Sequence, residues 1–132
     1  MHELQLADDL LERVADTHRR FPAPAYAFVL AALEFCQERR PSRGHIDGEE
    51  LAHACRDFAL HRFGLTARTV LAYWGVSRTQ DIGDIVYHLI GAGLLVSQPH
   101  DRVEDFADVF DFVEAFERGY PWSGLQGNGG GR

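Results

Sequence analysis

At 132 residues, with 45% hydrophobic and 25% charged side chains, the chain suits a single globular domain with an ordinary core. That make-up excludes a disordered or fibrous protein, and folding needs neither a disulfide framework nor a structural metal. The formal charge of −7, with all 13 basic residues being Arg, disfavours a generic nucleic-acid binder, because acidic surface repels phosphate unless the arginines converge.

In chain order, Leu4, Leu10, Leu11, Val14 and His18 recur at helical spacing and predict a first helix to about Arg20. Phe21-Pro22-Ala23-Pro24 breaks it, and Pro24 suits the first turn of a second helix over about 25–39. With no charge between Ala25 and Leu33, this second helix is expected to be buried on most sides and to act as the hub. Asp47 then offers an N-cap, with Glu50 three residues on, for a third helix carrying Leu51, Cys55, Phe58, Ala59 and Arg62 on one face. Gly64 stops it.

Thr66 is placed to cap a short fourth helix holding Val70, Leu71 and Trp74, stopped by Gly75. Thr79 or Ser77 should cap the clearest helix of the chain, in which Ile82, Ile85, Val86, Leu89 and Ile90 form one apolar stripe. Gly91 and Gly93 close it. Leu94-Leu95-Val96 reads as a short strand, Gln98-Pro99-His100-Asp101 as a turn, and Val103 to Phe110 as a returning strand or irregular chain. Asp111, with Glu114 three on, caps a last short helix through Phe116.

The predicted class is therefore mainly α: five to six helices with a small C-terminal β-hairpin. Helix, helix, longer helix and strand–turn–strand is winged-helix-like order, preceded here by an N-terminal helical hairpin. Residues 1–119 are expected to form one helical domain and 120–132 a glycine-rich flexible tail. Cys36 and Cys55 lie on apolar helix faces and read as buried thiols. The first residues lack a basic stretch followed by an apolar one, and the 13-residue apolar run from Phe21 to Leu33 falls short of the roughly 20 that span a bilayer. A cytoplasmic protein is expected, with no membrane contact.

Four groups of side chains could carry function. Asp105, Asp108 and Asp111 recur every third residue among Phe106 and Phe110, and with Trp122 they make a candidate docking surface for a basic partner protein. Ordinary amphipathic packing would instead send the phenylalanines into the core. Arg39, Arg40, Arg43 and Arg78 are candidate anion contacts, although charge near a helix C-terminus also explains the dense group at 39–43. Asp81 and Asp84 on the would-be recognition helix oppose phosphate, so DNA or RNA is the disfavoured partner.

His53, Asp57 and His61 stack on one helix face as a weak metal candidate, with His45 nearby in sequence. The outer pair lies about 12 Å apart along the axis, so one ion cannot take both, and a solvated polar face is the simpler reading. Among enzyme motifs, neither nucleotide-binding glycine loops, a nucleophile elbow nor a Cys-x-x-Cys pair is present. The residues thus favour a non-catalytic interaction module needing no cofactor, over a winged-helix-like regulator of nucleic acid or a metal-dependent enzyme.

Tyr26-Ala-Phe-Val-Leu-Ala-Ala-Leu33, Gly48-Glu-Glu-Leu51, Phe63-Gly64, Thr69-Val-Leu71 with Trp74-Gly75, and Thr79-Gln-Asp-Ile-Gly83 with Ile85-Val86 form a further pattern. Gly93-Leu-Leu95, Asp105-Phe106, Asp111-Phe112 and Ala115-Phe116 continue it. In these residues the chain resembles a family of short bacterial proteins of unknown function, known from planctomycetes and verrucomicrobia, over about 4–118. The resemblance implies no activity, cofactor or catalytic residue.

Overall fold

The computed structural model describes residues 2–118, so Trp122 and the 120–132 segment lie outside the described residues. Its centre is helix α2 (Ala23–Glu38), which touches α1 (His2–His18), α3 (Gly48–Phe63) and α5 (Thr79–Gly91). The reason is its composition: Ala25, Tyr26, Phe28, Val29, Ala32 and Cys36 are all buried along it. Small alanines among large rings let three neighbours approach one helix closely. Phe28 packs on Phe58 and Phe63 of α3 and on Trp74, with centroids 5.4, 6.0 and 5.7 Å away. Such ring pairs add about 0.5–1.5 kcal/mol beyond the area they bury.

Helix ends follow their local chemistry. Arg19 turns left-handed at φ 55° after α1, Pro22 is extended at the start of α2, and Pro24 sits in the first turn. Asp47 accepts from the Glu50 amide at 2.8 Å, and Gly64 (φ 53°) returns its N–H to the Leu60 carbonyl. Gly93 (φ 79°) closes α5 while the Leu94 amide reaches back to the Leu89 carbonyl at 2.9 Å. At Thr66 the expectation is corrected: its hydroxyl donates to the Phe63 carbonyl inside a 3₁₀ turn, Gly64–Thr66, rather than capping α4 (Ala67–Tyr73).

The α5 cap is also corrected. Neither Thr79 nor Ser77 supplies it; the buried Asp81 carboxylate accepts from the Ser77 and Arg78 amides at 2.9 and 3.2 Å. Thr79 is fully buried and serves another purpose. Its hydroxyl donates to the Phe106 carbonyl at 2.6 Å and accepts from the Val109 amide at 3.0 Å, tying α5 to the C-terminal segment.

No described residue is in a strand. Where a strand–turn–strand was expected, 94–96 and 103–110 do not pair; Val103–Phe106 is a 3₁₀ turn and Glu114–Arg118 a π-helical turn. Their backbone bonds close locally, as in Asp105 N–H to Arg102 and Ala107 N–H to Glu104. The cause is Phe106, whose ring must enter a notch made by Gly48 and Gly83, where an added Cβ would lie 3.0 and 2.9 Å from ring atoms. An extended ladder through this segment would pull that ring out. No helix of the described residues is long and apolar enough to cross a membrane.

At the α1–α5 seam the rings of His18 and His88 stack 3.6 Å apart, and His88 Nδ1 lies 2.8 Å from the Tyr26 hydroxyl. Burial, then the neighbouring charges of His18 and Arg20, pull the His88 imidazole below its usual range against the opposing effect of Asp84. A histidine depressed in the folded state holds fewer protons there than when unfolded. Its contribution is complete above the unfolded value near 6.5 and is lost as pH falls through the lower folded one. Thermal melts between pH 8 and 5 should therefore show the melting temperature dropping below about pH 6.5, with a flatter profile in His88→Gln. An equal slope in that variant would refute the assignment.

Candidate functional site

Between α2, α3, α5 and the 95–106 segment lies a cleft of about 290 Å³. Its floor is apolar because helical periodicity points Leu33 of α2, Leu51 of α3, and Val86 and Ile90 of α5 at one space. Phe106 forms one end. Val96, 84% exposed, stands at the edge.

Each wall is held by its own hydrogen bonds. The loop after α2 is clasped by the Gln37 amide, which donates to the Gly44 carbonyl at 2.6 Å and accepts from the Gly44 amide at 3.1 Å. Arg40 adds a bond to the His45 carbonyl at 2.8 Å. Opposite, the Gln98 amide donates to Asp101 Oδ2 at 2.7 Å, while Asp101 N–H returns to the Gln98 carbonyl at 3.0 Å. The turn that Gln-Pro-His-Asp announces is thus closed twice, by the backbone and by the Asp101 carboxylate. His45 Nε2 donates to Asp101 Oδ1 at 3.1 Å and links the two walls.

Charge at this mouth is negative. Burial and then the carboxylates of Asp101, Asp105 and Glu104 push the Tyr87 phenol above its usual range, so it stays protonated. Burial alone would raise Asp101, but the Gln98 amide, the His45 hydrogen bond and the charges of His45 and His100 outweigh it, and its carboxyl is lowered. An apolar floor beneath an ionised rim suits a ligand with a hydrophobic body and a cationic or hydrogen-bond-donating flank.

The chain matches no protein-family model, no curated protein and no solved structure.

The residues singled out from sequence are dispersed. Phe106 is 3% exposed and is a core residue, which corrects its placement as an exposed anchor. Phe110 is half-buried against Phe112, Phe116 and His53, with ring centroids 5.5, 6.2 and 5.6 Å away. The acids beside them are occupied by the backbone or by neighbours. Asp105 accepts from the Arg102 amide and lines the cleft, Asp108 accepts from Gln80, and Asp111 caps Glu114.

The arginines do not form a free basic patch. Arg43 grips Glu34 with two 2.9 Å bonds, Arg40 lies 3.7 Å from Glu50, Arg39 4.0 Å from Asp57 and Arg78 3.9 Å from Asp81. The face of His53, Asp57 and His61 gathers no ion site: His53 lies by the Phe110 ring, His61 by Phe35, and Asp57 pairs with Arg56. Instead the fold brings His45 to His100 and Asp101, more than fifty residues away in sequence. The turn at 98–101 was legible; its meeting with His45 was not.

Proposed function

We propose that the protein is a non-catalytic binding module that receives a segment of a partner protein in the cleft between α2, α3 and α5. The observation that carries this reading is the cleft itself: about 290 Å³, apolar within, acidic at the mouth, with both walls braced before any ligand arrives. Preorganised walls matter because ordering loops on binding would consume affinity. An apolar anchor followed by Arg or Lys in the partner fits best, the anchor against Val86 and Ile90 and the cation near Asp105.

A cytoplasmic setting belongs to the same reading, supported by two buried free thiols whose burial holds them protonated. So does membership of the short bacterial family that the sequence resembles. The winged-helix-like nucleic-acid reading finds no support in the pairing of Arg39, Arg40, Arg43 and Arg78 with carboxylates.

Val96→Arg tests the proposal at a position exposed enough to leave folding intact. The substitution places bulk and positive charge at the cleft edge. Affinity capture from the source cell should lose its enriched partner by about tenfold or more relative to the parent chain, while Gln80→Ala, away from the cleft, keeps it. Equal recovery with Val96→Arg would end the proposal.

A further inference from the structure

His45, His100 and Asp101 offer one imidazole nitrogen each from two residues and one carboxylate oxygen, all within 4.8 Å of one another. His45 Nε2 lies 3.1 Å and His100 Nε2 3.8 Å from the same oxygen, Asp101 Oδ1. Bonds of about 2.0–2.1 Å at tetrahedral angles put ligand atoms roughly 3.3 Å apart, so both separations sit within about half an ångström of what zinc requires. The two imidazole nitrogens, within 4.8 Å of each other, must also close to about that spacing, and the adjustment falls on His100, whose side chain is 73% exposed.

We propose that these three side chains form a site for a divalent transition-metal ion, zinc first, at the mouth of the cleft. Its supports are those expected of a constructed ligand set. The Gln98 amide holds Asp101 Oδ2 and so turns Oδ1 toward both imidazoles. Arg40 and Gln37 pin the backbone that presents His45. The two rings meet edge to face, 5.6 Å between centroids at 79°, rather than stacking with their nitrogens turned apart. Two imidazoles and one carboxylate select zinc, cobalt or nickel over magnesium or calcium, which demand oxygen ligands.

Zinc at Nε2 takes the His45 tautomer that carries its proton on Nδ1, and the hydrogen bond to Asp101 gives way to two metal bonds. Since His45 and Asp101 both line the cleft, the ion has a coordination position left for water or for a donor atom of whatever enters. It also fastens the loop after α2 to the 98–101 turn. The site stands independently of which partner the cleft receives.

The test uses the full chain without histidine tags, stripped with chelator and titrated with zinc against a chromophoric competitor. One equivalent should bind, and at a hundredfold excess over its dissociation constant the melting temperature should rise by roughly 5–10 °C. Cobalt should give the intense visible absorption of a tetrahedral ion. His100→Ala, at an exposed position, leaves folding intact and should weaken zinc by about 100-fold, as should His45→Ala, whereas His53→Ala and His61→Ala bind like the parent. Zinc affinity unchanged by His100→Ala, or lost equally in the His53 and His61 variants, overturns the proposal. Val96→Arg retains zinc, so a failed cleft and a failed metal site give different results.

Discussion

Phe106→Ala lowers the stability of the protein by about 4 kcal/mol, the range for emptying a fully buried aromatic site. The ring is 3% exposed and lies between α3 and α5 in a notch that exists because residues 48 and 83 have no side chains. Alanine leaves that notch hollow, and two helices held by their own caps cannot collapse into it. Gly83→Ala is the complementary measurement. In an ordinary helix interior the change stabilises by about 1 kcal/mol. Here the new Cβ would meet the Phe106 Cβ at 2.8 Å and ring carbons at 2.9 Å, contacts real Cβ atoms do not make. Overpacking of this kind costs about 1–3 kcal/mol, so the sign reverses and the variant is destabilised. Urea unfolding monitored by circular dichroism reads both. A Gly83→Ala chain more stable than the parent would mean that Phe106 does not occupy the notch.

The second large effect is expected at Asp81. Its side chain is almost wholly buried, accepts from the Ser77 and Arg78 amides, and pairs with Arg20 at 2.6 Å. Asp81→Ala strands two amides at the start of α5 and removes the better-shielded partner of Arg20, a loss of about 3 kcal/mol. The neighbouring Asp84 also pairs with Arg20, but that pair is a third to nearly half exposed. Solvent screening limits Asp84→Asn to below about 1 kcal/mol. The contrast between two acids on the same arginine is what unfolding midpoints should show. Equal costs would mean that the interior position of Asp81 is not what makes it matter.

Much of the helical frame was readable along the chain. The stripe Ile82, Ile85, Val86 and Leu89 is buried, and Ala25, Tyr26, Phe28 and Val29 sit at the centre. Asp47 and Asp111 cap as their spacing implies, since a cap involves only residues three apart. Thr79 misled because a hydroxyl before a helix is ordinarily a cap. Its burial depends on the 106–109 segment, twenty-seven or more residues on. The hairpin failed for a similar reason. Leu94-Leu95-Val96 has strand-like residues, but strands need a paired edge, and the expected partner segment, 103–110, is committed to placing Phe106. A glycine inside the otherwise regular α5 stripe was the available hint that something approaches closely there.

Composition and apolar rhythm dictated that this chain is helical, where its helices begin and end, and which of them is the hub, because those properties are decided within a turn or two of backbone. Which loops face each other was settled only on folding. The meeting of His45 with His100 and Asp101, the notch for Phe106 and the cleft all join residues that are far apart along the chain. Their contacts depend on how α2, α3 and α5 cross, and no local spacing encodes a crossing.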